Sequence, residues 1–238
     1  MARSLAAERA PKLVPAPAPA PPVGSWSTNL AGRNVIVSDP HGEVAESIHA
    51  LRARVQSQHL QAGRRALAIC GPAPEVGCTF IAVNLAVALS QIGVKTLLVD
   101  GDLRNPSVHT YFEPELTGPG LVGCLMSPSA PVADFTHDDV LPNLDVLIAG
   151  DPDRNSHELL AGDGFPELIN ICMRDYDMTI VDTPPANSCA DALRISTVVG
   201  FSLIVARKQR TLVSDVRLLA DQLKKERARP IGTVLNSY

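Results

Sequence analysis

Short, unbroken apolar runs alternate along this chain with longer stretches in which apolar positions recur every three or four residues. The runs Ala66 to Cys70, Thr96 to Val99, Leu144 to Ala149, Met178 to Val181, Leu203 to Ala206 and Ile231 to Leu235 have the length and continuity of strands buried on both faces. Between them, Ile81, Leu85, Leu89 and Ile92 fall on one helical face, as do Leu212, Val216, Leu219 and Leu223. Leu121 to Met126 and Phe165 to Asp175 are read as further helices. An earlier helix is expected to begin near Asp39-Pro40, an N-cap followed by proline at the first helical position, with Val44, Ile48, Leu51 and Val55 as its apolar stripe. Arg33 to Val37 reads as a short extended segment. The rest of Asn105 to Val132, and Asp134 to Leu141, are rich in Gly, Pro and acidic residues and read as loops. Strands alternating with helices predict an α/β fold, a mainly parallel sheet flanked by helices on both faces.

The N-terminus follows another pattern. Pro15, Pro17, Pro19, Pro21 and Pro22 alternate with alanine, which favours extended polyproline conformations over a packed core. Residues 1–30 are therefore expected to form a disordered tail and 31–238 the folded domain. Hydrophobic content of 45% and charged content of 19% fit one soluble globular unit. The formal net charge of −4, without a basic block, argues against nucleic acid as the main ligand. The most apolar run, Phe80 to Val94, is interrupted by Asn84, Ser90 and Gln91 and is too short to span a membrane. The first residues lack the apolar core of a signal peptide. Cys70, Cys78, Cys124, Cys172 and Cys189 are odd in number and form no C-x-x-C pair, which indicates a reducing cytoplasm rather than a disulfide framework or structural zinc.

Chemistry concentrates between Ala66 and Thr110. A strand runs into a turn rich in Gly and Pro, Gly71 to Gly77, which opens a helix; the next strand delivers Asp100 and Asp102. Such a loop aims backbone N–H groups and a helix N-terminus at one point, which suits phosphate. Two carboxylates at a neighbouring strand end suit the Mg²⁺ that phosphates bring. A third apolar strand ends in Asp182-Thr183-Pro184-Pro185. Measured against the pattern G-x-x-x-x-G-K-[ST], Gly77 and Thr79 fit, whereas Pro72 replaces the first Gly and Cys78 replaces the Lys. Thr79 still offers its hydroxyl to Mg²⁺. On the loop alone, an ordinary strand-to-helix turn is an equal reading. Cys78, at the start of a helix, is expected to have a lowered thiol pKa.

In this order and spacing the three segments resemble the Walker A, Walker A′ and Walker B motifs of bacterial tyrosine kinases, P-loop autokinases that work with chain-length regulators in capsule and exopolysaccharide export. The resemblance runs from Asp39 to Asn236 and includes Asn84, NLDVLIAG at Asn143 to Gly150, HELL at His157 to Leu160 and VLN at Val234 to Asn236. The MinD/ParA-like ATPases are wider kin with the same fold.

The resemblance implies ATP or ADP with Mg²⁺ as ligands. Pro74, Glu75, Val76, Gly77, Cys78, Thr79 and Phe80 would surround the phosphates, with the amides of Val76 to Thr79 cradling them. Thr79, Asp102 and Asp182 would face the metal, Asp182 through water. Asp100 would stand near the γ-phosphate, assisting the metal or accepting a tyrosine proton. Arg104 would contact a phosphate or pair with a carboxylate. Asn236 would touch adenine. Glu46, His49 and Arg52 read either as a solvated polar face or as E-x-x-H-x-x-R, similar to the family's oligomerisation motif E-x-x-R-x-x-R with His49 in place of the first Arg; the resemblance implies a homo-oligomer in which Glu46 and Arg52 could pair across the interface and His49 could add pH sensitivity. The implied partner is the cytoplasmic segment of a transmembrane chain-length regulator, with this chain cytoplasmic and recruited to the inner face of the plasma membrane. Family members carry a tyrosine-rich C-terminal tail. Of Tyr111, Tyr176 and Tyr238, the terminal Tyr238 is the expected phosphoacceptor and the other two are structural. Two functions follow: an ATP-dependent tyrosine autokinase, or a nucleotide-binding regulatory subunit whose transfer chemistry is impaired by Cys78.

Overall fold

The computed structural model describes residues 34–113, 115–151 and 156–237. The Pro/Ala-rich segment and Tyr238 lie outside them. The elements in chain order are α1 (Val35–Ser38), α2 (Glu43–Gln58), β1 (Ala66–Cys70), α3 (Cys78–Ser90), β2 (Thr96–Asp100), α4 (Gly120–Met126), β3 (His137–Leu141), β4 (Leu144–Leu147), α5 (Ser156–Ala161), α6 (Gly164–Asp175), β5 (Met178–Asp182), α7 (Asp191–Val199), β6 (Phe201–Arg207), α8 (Val213–Lys225) and β7 (Arg229–Asn236). Seven strands form one sheet in the order β3-β4-β2-β5-β1-β6-β7. All neighbours are parallel except β3 and β4.

Strands β1, β2, β4 and β5 are buried at every residue, which is why they read as continuous apolar runs rather than alternating ones. Alternate side chains serve opposite cores. Leu98 joins Ile48, Leu85 and Ile180 on the α2–α3 face, whereas Leu97 joins Leu121, Phe165, Val181 and Ile195 on the other. Helix α3 is buried from Ile81 to Ser90 without a break. It touches β1, β2 and β5 on one side and α1 and α2 on the other. A helix covered on both sides is apolar all round, so its apolar positions extend beyond the single face expected.

Four expectations need correction. Helix α2 starts at Glu43, because Asp39 to Gly42 forms a turn in which the Gly42 N–H donates to the Asp39 carbonyl at 3.0 Å. Proline suits the second position of a turn as well as a helix start, so Pro40 fits both. The buried stripe of α2 is Ala45, Ile48 and Val55 with Leu51 half-buried; Val44, one position away, is exposed. Val35–Ser38 is a helical turn, not an extended segment, and drives Ile36 into the core. His137–Leu141 is an antiparallel edge strand instead of a loop, with exposed Asp138 and Asp139 and a register irregularity. Charged residues on an edge strand oppose edge-to-edge association, and their polarity conceals the strand in the sequence. Helix α7 ends at Gly200, a left-handed residue with φ 83°. No described helix is long and apolar enough to cross a membrane.

Candidate functional site

The loop between β1 and α3 has an unusual backbone for its sequence. Gly77 caps α3 in the left-handed region with φ 98°, and a Cβ there would lie 2.2 Å from Asn236 Nδ2. Only glycine meets both conditions. Glu75 is also left-handed, with φ 58°. For a residue with a side chain that conformation costs roughly 1–2 kcal/mol. Arg207 Nη1 donates to the Glu75 carbonyl at 3.0 Å, and Arg210 Nη1 pairs with Glu75 Oε2 at 3.0 Å. Asn236 Nδ2 donates to the Val76 carbonyl at 3.0 Å. Left-handed residues in such a loop turn successive N–H groups toward a common centre, an anion-binding concavity.

Cys78 turns back under this loop: its Sγ would stand 2.9 Å from a Cβ placed on Gly71. Burial pushes the thiol well above its ordinary value, and Asp182, Cys70 and Asp102 add to the rise. The expected lowering by the helix N-terminus is therefore reversed, because desolvation and acidic neighbours outweigh the helix dipole.

The carboxylates converge beneath the loop because β2 and β5 are neighbours, with Asp100 and Asp182 register partners at the strand ends. Both are buried. Asp100 Oδ1 accepts from the Asp102 N–H at 3.1 Å, while its Oδ2 accepts from Ser107 at 3.1 Å and Val108 at 3.0 Å. Asp100 thus anchors the following loop. Asp102 Oδ1 accepts from the N–H groups of Arg104 at 3.2 Å and Asn105 at 3.0 Å. Asp182 Oδ1 accepts from Thr183 N–H at 3.0 Å, but Asp182 Oδ2 is buried without a hydrogen-bond partner. Burial raises the Asp182 carboxyl well above the usual range, repulsion from Asp100 adds to this, and the Thr79 side chain opposes it. Asp100 is raised by burial as well, against the pull of its three backbone donors. Gly101 lets the strand ends meet: its N–H donates to the Asp182 carbonyl at 3.0 Å, and a Cβ would lie 2.6 Å from that oxygen.

An unpaired buried carboxylate oxygen is costly unless a cation or donor meets it, so this donor set fits a divalent ion. Thr79 stands beside it, its Oγ1 3.0 Å from Ser107 Oγ. Among the described residues no group of three or more His, Cys, Asp or Glu is arranged to hold a metal by itself.

The remaining predicted residues are placed as follows. Arg104 Nε pairs with Asp191 Oδ2 at 2.8 Å, the carboxylate arm of the two expectations. Asn236 spends an amide hydrogen on the loop itself. Phe80 gives its carbonyl to Asn84 Nδ2 at 2.8 Å inside α3. On α2, Glu46 is exposed. Arg52 reaches inward, its Nη1 3.3 Å from the Ala88 carbonyl. His49 has a buried, unpartnered Nδ1, and its pKa is lowered by burial and then by Arg52. Lys95 lies at the start of β2, away from the phosphate loop, with Nζ 3.3 Å from the Asp175 carbonyl. Tyr176 OH donates to Asp145 Oδ2 at 2.8 Å, and Tyr111 is buried. Sequence reasoning missed Ser107, Asp191, Arg207 and Arg210. Their contacts depend on which strand ends lie side by side, and no local motif reports that.

A mostly parallel sheet whose strand ends meet a glycine-rich loop and buried aspartates defines a P-loop NTPase of the MinD/ParA type. The cell-division ATPase MinD of Pyrococcus furiosus superposes with a TM-score of 0.60 at 27% identity, over 74% of this chain and 73% of that one. The kinase domain of Escherichia coli tyrosine kinase ETK superposes with 0.78 at 27% identity, over 86% of this chain and 79% of that domain. The chimerical protein CapA2B2 gives 0.79 at 28% identity, over 88% and 91%. In sequence, tyrosine-protein kinase YwqD of Bacillus subtilis is 31% identical over 205 residues, 86% of either chain. Tyrosine-protein kinase ptk of Acinetobacter johnsonii is 32% identical over 191 residues, 80% of this chain. No protein-family model matches. The chain belongs to the bacterial tyrosine kinase family. It spans about a quarter of the length of ptk and of the EpsB relative from Ralstonia solanacearum, at 26% and 28%.

Proposed function

We propose that residues 31–238 form a Mg²⁺–nucleotide-binding, tyrosine-autokinase-like component of exopolysaccharide or capsule polymerisation and export. On this reading it regulates chain length with the cytoplasmic segment of a transmembrane partner, recruited to the inner face of the plasma membrane. The observation that carries the nucleotide site is the Asp182 carboxylate, buried at its strand end beside the Thr79 side chain with Oδ2 unpartnered. The backbone N–H groups of Val76 to Thr79 would hold the phosphates. Thr79, Asp182 and Asp102 would face the metal, whose bound charge offsets that of the phosphates and aligns them. Asp100 fixes the loop carrying Asp102 and Ser107 through its three backbone bonds.

Cys78 favours a second reading, a regulatory subunit that binds nucleotide but transfers phosphate poorly. Losing one preorganised charge-stabilising donor costs about 2.7–4 kcal/mol in a transition state. Arg104 and Arg210 are both paired with carboxylates, so neither is an uncommitted replacement for the lysine.

The deciding experiment is Mg²⁺–ATP titration of the protein beside Cys78→Lys and Asp100→Ala, then phosphotyrosine detection with the partner segment added. Binding with phosphotyrosine that Asp100→Ala abolishes supports the autokinase. Binding without phosphotyrosine until Cys78→Lys restores it supports the regulatory subunit. Absence of binding in every form overturns both.

A further inference from the structure

The loop from Gly71 to Gly77 is held by its carbonyls. Gly71 accepts from the Ala186 N–H at 2.9 Å, Pro72 from Asn187 at 3.3 Å, and Gly77 from Ile81 at 3.0 Å. Between them, Glu75 accepts from Arg207 and Val76 accepts from Asn236, each at 3.0 Å. A trans peptide is planar, so the carbonyl of one residue and the N–H of the next point to opposite sides. Pulling the Glu75 carbonyl toward Arg207 turns the Val76 N–H the other way, and pulling the Val76 carbonyl toward Asn236 turns the Gly77 N–H with it. Arg207 and Asn236 are register partners at the ends of the parallel strands β6 and β7. Their backbones are joined there, because the Lys208 N–H donates to the Asn236 carbonyl at 2.7 Å.

We propose that the Arg207–Asn236 pair is a positioning device that sets the peptide planes of the phosphate loop, so that the cradle forms without a loop lysine. The inference deepens the nucleotide-binding reading and rests on it. Two features of the loop make such a brace necessary. Glu75 occupies a left-handed conformation that it does not prefer. Cys78 brings no side-chain cation to gather the phosphates against the amides. The Arg207 guanidinium acts through the Glu75 carbonyl, as a positioning residue rather than a phosphate ligand. Its fork of fixed donors suits this work better than a single ammonium.

The test uses the full chain, with Arg207→Ala and Arg207→Lys, and Mg²⁺–ADP as the probe. The wild type should bind, and its Val76 and Gly77 amide proton resonances should move downfield on binding. Arg207→Ala should weaken binding roughly tenfold or more, the scale of a lost charge-assisted hydrogen bond. It should also lose both amide shifts while keeping a cooperative thermal transition. Arg207→Lys should recover part of the affinity and part of the shifts. The nucleotide-free protein gives an independent reading, since the carbon chemical shifts of Glu75 report its left-handed backbone. That signature should be present in the wild type and lost in Arg207→Ala. If the wild type fails to bind, the nucleotide reading fails, and the Glu75 signature alone decides the brace. A Glu75 signature and, where binding occurs, an affinity both unchanged in Arg207→Ala overturn the proposal.

Discussion

Replacing Asp182 by Asn should stabilise the nucleotide-free protein and abolish its response to Mg²⁺–nucleotide. Asp182 is buried at a strand end opposite Asp100, and both carboxyls are raised above their ordinary range, burial being the first cause in each. A carboxyl raised on folding holds its proton more tightly in the folded chain than in the unfolded one. Its stabilising share is therefore complete in acid and is lost as the pH climbs from the unfolded value through the folded one. Asn keeps the oxygen that accepts from Thr183 and removes the repulsion with Asp100. The gain is expected to be near zero in acid and to grow with pH; its scale is that of a buried polar group left unsatisfied, about 1–3 kcal/mol, or roughly 3–10 °C in Tm for a domain of this size. Saturating nucleotide should reverse the order, because ligand at a thousand times its Kd adds about 4.1 kcal/mol to the form that binds it. Thermal denaturation at several pH values, with and without Mg²⁺–ADP, measures all of this. A ligand-free Asp182→Asn protein that is less stable than the wild type at pH 7.5, with the same slope against pH, refutes the reasoning.

Three further outcomes follow from the same geometry. Without a lysine to span the β- and γ-phosphates, the wild type should bind ATP and ADP within about threefold of each other, and Cys78→Lys should favour ATP by about tenfold, read by calorimetric titration. Gly77→Ala forces a Cβ to 2.2 Å from Asn236 Nδ2 at φ 98°. It should cost about 1–2 kcal/mol from the backbone alone, seen in urea unfolding, and weaken nucleotide binding more than tenfold. Leu85→Ala, in the fully buried α3, should lower stability by about 2–5 kcal/mol with an unchanged m-value.

The central strands were legible because burial on both faces leaves no polar position to interrupt them, as in Ala66–Cys70 and Met178–Asp182. Helix ends were less legible: Asp39-Pro40 satisfies a turn and a helix start equally, and packing of Ile36 and Ala45 decides between them. The strand His137–Leu141 was invisible because its partner, not its own residues, makes it a strand. The aspartates of the site could be picked out as strand-end residues, and the resemblance gave them different roles, yet the anchoring of the following loop by Asp100 could not be read. Asp100 and Asp182 look alike in the sequence, but one receives three backbone donors and the other keeps an oxygen unpaired. Arg207 and Arg210 gave no signal at all, since they meet Glu75 only through the order of β1, β6 and β7.

Two residues of this loop, Cys78 and Glu75, act in the same direction. Cys78 removes a positive charge from the phosphate position, and Glu75 adds a negative one beside it. Left alone, a loop so altered would repel a polyphosphate and relax out of its left-handed backbone. The fold answers each change separately. Arg210 neutralises the Glu75 carboxylate, an exposed pair worth at most about 1 kcal/mol. Arg207 and Asn236 hold the peptide planes that the lysine and a loop ligand would otherwise help to order. On the proposed reading, what would remain for phosphate is the set of backbone dipoles and a cation at Asp182. On the proposed reading such a site can hold a diphosphate and still stabilise a transferring phosphoryl group poorly, since one of the groups that would meet the charge developing in the transition state is missing at Cys78. The proposed reading therefore separates binding from transfer, and predicts a Cys78→Lys variant that gains far more in turnover than in affinity for Mg²⁺–ADP.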